Sequence, residues 1–136
     1  LAQTSAIYFS VDKAALSAKA DLRRSFLVFD LDVAGKRLSR NLVFFDVMHN
    51  LQLPVAPRIE ATLSRTGDDY SITLQSSKLA RNVYLSFGDL DVECADNYFD
   101  LLPSEPITIR LKSSATLEQL KAALTTTSLT EAFNSN

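Results

Sequence analysis

Residues Ile59–Gln75 read IEATLSRTGDDYSITLQ, and this stretch decides the fold. Ile59, Ala61 and Leu63 alternate with Glu60, Thr62 and Ser64; after a gap, Tyr70, Ile72 and Leu74 alternate with Ser71, Thr73 and Gln75. A period of two places alternate side chains on opposite faces of a strand, so each half has one buried and one wet face. Thr66, Gly67 and Asp68 lie between the halves and supply turn chemistry. The segment is a β-hairpin of an antiparallel sheet.

Working outward, similar runs predict strands at 6–11, 26–32, 38–47, 82–87, 90–95 and 107–111. With the hairpin that makes about eight, a spacing that fits a β-sandwich or barrel and not alternating β and α units. Phe26-Leu27-Val28-Phe29 and Leu42-Val43-Phe44-Phe45 are apolar at every position, as central strands or strands covered by a neighbouring domain are. Gly35, Gly67, Gly88, Pro54, Pro57, Pro103 and Pro106 all fall between the proposed strands, so turn signals and strand signals agree.

One helix is clear. Thr116 with Gln119 matches a capping box, and Leu117, Leu120 and Leu124 share one face over residues 117–124. Two turns do not persist alone in water, so the leucine face must dock on the sandwich or on another domain. Residues 125–136 read as a tail with Leu129 and Phe133 as anchors. Residues 12–24 read as a connection with at most one helical turn. The expected organisation is an N-terminal strand and connection, or a remnant of a preceding domain, over 1–25, a sandwich over 26–115, and a helix and tail of the same domain over 116–136.

The bulk properties narrow the function. One domain is expected from 136 residues, and 46% hydrophobic with 22% charged residues describes a folded chain without a membrane-length apolar run. A net charge of −2 lacks the basic footprint needed for phosphate backbones, so neither nucleic acid nor a membrane is an expected partner. Cys94 is the only cysteine, which excludes an internal disulfide and a cysteine metal cluster. The chain starts at Leu1 and shows no targeting segment, as an excised or processed piece would. Its compartment stays open; for a bacterial parent the expectation is the periplasm or secretion.

Candidate chemistry is sparse. Asp89, Asp91 and Glu93 have one parity on the proposed strand 90–95 and, with Asp96, are oxygen-rich enough to be weak candidates for a hard cation such as calcium, although no EF-hand spacing is present. The same row as an acid/base site is disfavoured, because exposed carboxylates in a row are neither desolvated nor differentiated. His49 is the only histidine, too few for a multi-histidine zinc site and without an evident nucleophile. No cofactor is expected. Tyr8, Tyr70, Tyr84 and Tyr98 are the aromatic groups a sugar platform would need, but Tyr70 and Tyr84 fit inward faces.

The segment DNYFDLLP, Asp96 to Pro103, combines turn formers with large apolar side chains and reads as a corner closing the sandwich. Asp96, Asn97, Tyr98, Phe99 and Asp100, together with His49, are assigned to a structural corner or an interdomain contact, with no catalytic residue and no defined substrate-binding residue. At this point the chain resembles a known family, the C-terminal immunoglobulin-like domain of glycoside hydrolase family 2 β-mannosidases. The match rests on SRNLVFF at Ser39–Phe45, LQLP at Leu51–Pro54, SSKLARNVYLSF at Ser76–Phe87, DNYFDLLPSEP at Asp96–Pro106 and TLEQLKAAL at Thr116–Leu124. The resemblance implies an immunoglobulin-like antiparallel β-sandwich of about seven to eight strands with a short C-terminal helix. It further implies a large multidomain parent that releases terminal β-linked mannose through two glutamates in a separate barrel. No position here matches that barrel, so the expected role is packing against the parent's other domains and shaping the active-site rim, with oligosaccharide as an alternative partner.

Overall fold

A computed structural model describes residues 10–134, which fall into two compact units, Leu1–Gln52 and Leu53–Asn136. The division lies inside the span 26–115 that was read as one sandwich, between Gln52 and Leu53 and just before Pro54.

The first unit holds a five-residue helix α1 (Lys13–Ser17) and a hairpin of β1 (Phe26–Val33) and β2 (Lys36–Phe44). The helix begins where Asp12 Oδ1 accepts the Ala14 amide at 2.9 Å, an N-cap that agrees with the single turn expected. The hairpin reverses at Ala34 and Gly35, both with positive φ (51° and 77°), the geometry of a two-residue turn whose twist matches the strands. Phe26 and Phe44 pair at one end with ring centroids 5.8 Å apart. At the middle, Asp30 receives Arg40 through Nε and Nη2, each at 2.7 Å, and Arg37 at 3.1 Å. The hydrogen bond from Arg40 holds the Asp30 carboxyl below its ordinary value, with the charges of Arg37 and Arg40 acting in the same sense. A short 3-10 turn, Met48–Asn50, follows β2 and carries His49. No described residue of this unit is buried.

The second unit is a sandwich. One sheet runs β3 (Glu60–Thr66), β4 (Asp69–Gln75), β8 (Ile107–Lys112) and β6 (Glu93–Cys94); the other runs β7 (Phe99–Leu101), β5 (Ala80–Ser86) and β9 (Thr125–Thr127), and every ladder is antiparallel. The register Leu63↔Ile72 and Ile72↔Ile109 puts these side chains on the inner face, where they meet Val83, Leu85 and Leu101 of the other sheet. Such a side chain, once fully buried, stabilises the fold by about 1.5–3 kcal/mol. Tyr70 is also inside, its hydroxyl donating to the Ala115 carbonyl at 2.8 Å.

Helix α2 (Leu117–Ala123) has the expected capping box, with the Gln119 amide donating to Thr116 Oγ1 at 3.3 Å and the Thr116 amide to Gln119 Oε1 at 2.8 Å. It inserts Leu120, which is wholly buried, into the same core. The residues expected to form a tail instead make β9 and a last helix, α3 (Leu129–Asn134). The Ser128 amide and hydroxyl both donate to Glu131 Oε2, at 2.8 and 2.7 Å, which starts that helix.

Two strand expectations and the reading of the corner need correction or restriction. The strand expected over 90–95 is only Glu93–Cys94, because Gly88 at φ +60° and the Leu90 amide bonding the Phe87 carbonyl turn the chain before Asp91. Of the strand expected at 6–11, residues 6–9 lie outside the described residues, and Ser10 and Val11 are not in a strand. The corner segment contains a strand of its own, β7.

Candidate functional site: the Asp96–Leu102 corner

The corner is organised by an irregularity in β5. Ala80 pairs with Leu101 and Val83 with Phe99, so two residues of β5 stand against one of β7, and Asn82 takes φ +47° between them. The extra residue switches which parity faces inward: Ala80, Val83 and Leu85 are buried, while Tyr84 points out with 39% of its surface exposed. Tyr84 was expected inside; uninterrupted alternation does not allow for the bulge. Asp100 braces it, its Oδ1 accepting both Arg81 Nε and the Asn82 amide at 2.9 Å.

Asn97 acts as a strand residue by side chain alone. Its Oδ1 accepts the Leu85 amide at 2.8 Å and its Nδ2 donates to the Leu85 carbonyl at 3.1 Å. The next residue, Tyr98, is driven into the left-handed region at φ +63°, a conformation that costs a non-glycine residue about 1–2 kcal/mol. Its ring stacks on Tyr84 with centroids 4.9 Å apart and planes 27° from parallel, worth about 0.5–1.5 kcal/mol. The stack offsets much of the backbone strain, and Tyr98 still leaves 67% of its surface to solvent. Asp96 is exposed and accepts the Asn97 amide at 2.8 Å. The corner thus offers an aromatic surface and hydrogen-bonding groups, with Asp96 and Asp100 engaged by backbone and guanidinium donors.

The acidic row is not assembled as a strand face. Asp89 and Asp91 lie in the loop after β5, Glu93 is on β6 with Lys112 Nζ at 3.7 Å, and Asp96 begins the corner. Among the described residues no three His, Cys, Asp or Glu side chains gather as a metal site would require. Cys94 is half-buried, and burial pushes its thiol up, away from thiolate character. His49 is exposed in the first unit, whereas the other corner candidates all belong to the second. The Arg81–Asp100 pair and the Asn82 bulge escaped sequence reasoning; the Arg-Asn dipeptide just inside a strand was the available signal.

Comparison with known proteins agrees with this architecture. A search of curated proteins found no match. Among solved structures, the chain is similar to the β-D-mannosidase from Dictyoglomus thermophilum, at 23% identity and a TM-score of 0.65, over 82% of this chain and 14% of that one. The chain therefore spans a small part of the length of that enzyme. Residues 54–132 match the mannosidase Ig-fold domain family. That span starts at the head of the sandwich unit and includes the Asn97–Leu85 lock, α2 and β9, and by this match the chain belongs to the mannosidase Ig-fold domain family.

Proposed function

We propose that this chain is a non-catalytic part of a β-mannosidase, in which it packs against the other domains and helps to shape the active-site rim. The observation that carries the proposal is the hairpin of the first unit. Leu31, Val33 and Leu38 are each more than half exposed, Val28, Phe29 and Val43 are also exposed, and no described residue there is buried. An isolated two-stranded hairpin is marginal in water, and this many large apolar side chains left exposed on both of its faces call for a cover. The small share of the Dictyoglomus thermophilum β-D-mannosidase that aligns with this chain supports a large parent supplying the cover. Within that role the corner residues Asp96–Asp100 and His49 are contact positions, and turnover belongs elsewhere in the parent. Incubation of the purified chain with a chromogenic β-mannoside tests this: no hydrolysis is expected, and hydrolysis abolished by a point substitution in this chain would overturn it.

A second reading, a carbohydrate-binding module for mannose-containing glycans, is favoured by the exposed Tyr84–Tyr98 stack. The rings are stacked on one another, not set side by side, and Tyr98 is the more exposed of the two. Calorimetric titration with mannobiose is expected to give a weak saturable signal that Tyr98→Ala removes; no heat at any concentration rejects the reading.

A further inference from the structure

Two of the strained non-glycine residues converge on one hollow, which Ser104 enters directly after the corner segment. Arg58 (φ +54°) and Ser104 (φ +61°) both line a cleft of about 390 Å³, with Glu60, Gln75, Ser76 and Ser77 completing the wall. That volume falls within the range of about 300–1,000 Å³ typical of small-molecule sites. Backbone strain of this sort persists only where the surroundings over-determine it, and it concentrates at binding sites.

The cleft is rigid at its base. The Ser76 hydroxyl, buried, donates to the Pro57 carbonyl at 2.7 Å and accepts the Lys78 amide at 3.2 Å, while the Ser104 amide donates to the Ser76 carbonyl at 2.8 Å. These bonds tie the residue before Arg58 and the loop of Ser104 to one point. On the wall formed by the paired strands β3 and β4, Gln75 Nε2 donates to Glu60 Oε2 at 2.7 Å. Arg58 makes no hydrogen bond or ion pair with any described residue, although Glu60 lies on the same wall.

A guanidinium without a described partner and a carboxylate held by Gln75, lining one cleft with Ser77 and Ser104, select by charge. Glu60 disfavours an anion, Arg58 disfavours a cation, and the pair together present both donors and acceptors. We propose that this cleft binds a neutral polyhydroxylated ligand, a sugar ring with adjacent hydroxyls, with Arg58 donating and Glu60 accepting. The proposal rests on the carbohydrate-binding reading for its choice of probe alone; it places the ligand at a different site from the Tyr98 stack.

The test titrates the full chain with mannobiose and records backbone amide shifts, with sodium sulfate and lysine amide as charged comparators. Shifts are expected at Arg58, Ser77 and Ser104, saturating with sugar and absent with either charged probe. Arg58→Gly removes the guanidinium and relieves the positive φ, so it should weaken binding about tenfold while leaving the thermal midpoint unchanged or higher. Ser104→Gly should keep the fold and report the loss of one hydroxyl. Shifts confined to the surroundings of Tyr84 and Tyr98 would overturn the cleft while leaving the carbohydrate reading intact. Tighter binding of sulfate than of sugar at Arg58 would overturn the neutral-ligand assignment, and no sugar-dependent shift anywhere would remove both.

Discussion

The two units are built from similarly apolar strands and end in opposite states. In the second, Ile72, Leu74, Val83, Leu101, Leu111 and Leu120 are wholly excluded from solvent; in the first, Leu31, Val33 and Leu38 are more exposed than covered. Strand-forming residues secure β-structure in both, but only a second sheet facing the first turns apolar side chains into a core. Burial is a property of what lies opposite a residue, and the hairpin has one sheet and two faces.

The comparison is most sharply broken by separating the units. A chain of residues 53–136 is expected to unfold cooperatively in denaturant, whereas residues 1–52 alone should show no cooperative transition by circular dichroism. A cooperative transition in the shorter piece would mean that the hairpin has a core of its own.

Next in size are matched truncations. Leu101→Ala or Leu111→Ala should cost about 2–5 kcal/mol in equilibrium unfolding of the full chain. Leu31→Ala or Leu38→Ala should stay within about 0.5 kcal/mol, because nothing described covers those side chains. A hairpin truncation as costly as a core one would show that the exposed face is covered in solution.

At the corner, Asn97→Ala strands the Leu85 amide and carbonyl and should cost about 1–3 kcal/mol. Asn97→Asp keeps an acceptor for the amide but loses the donor to the carbonyl, so its cost should lie between wild type and alanine. Equal costs for the two variants would show that the donor carries the lock.

The smallest effect is acid sensitivity, expected in the hairpin unit. Asp30 is held low by Arg40, and Asp46 by the Asn50 side chain and the Val47 amide, both from an ordinary value of 3.8. A lowered carboxyl contributes stability that is present above 3.8 and is lost as the pH falls below it through the depressed folded value. Amide shifts of residues 26–50 should therefore change between about pH 5 and pH 2, less so at high salt. Shifts that stay constant there would remove Asp30 and Asp46 as local ties.

Much of this fold is legible in the sequence. The alternation in Ile59–Gln75 became β3 and β4 in the register its turn demanded, and Thr116 with Gln119 became a capping box, because both signals are local and complete within a few residues. The misses are non-local. Three threonines carry no apolar pattern, and β9 exists because its backbone pairs with β5. Tyr84 moved outward through a one-residue bulge that Asp100 braces from another strand. Besides the Arg-Asn dipeptide at the bulge, α3 had an overlooked local signal, the Ser128–Glu131 pair that starts it.

The sequence by itself determined an antiparallel sandwich, its turns, its capped helix and its kinship through the DNYFDLLP corner, since period, turn chemistry and capping act over neighbouring residues. The tertiary structure alone decided that Tyr98 stacks outward on Tyr84, that Asp89, Asp91 and Glu93 share no strand face, and that Arg58 and Ser104 meet at one cleft. Those outcomes depend on hydrogen bonds and packing between residues far apart in the chain, which no local pattern records.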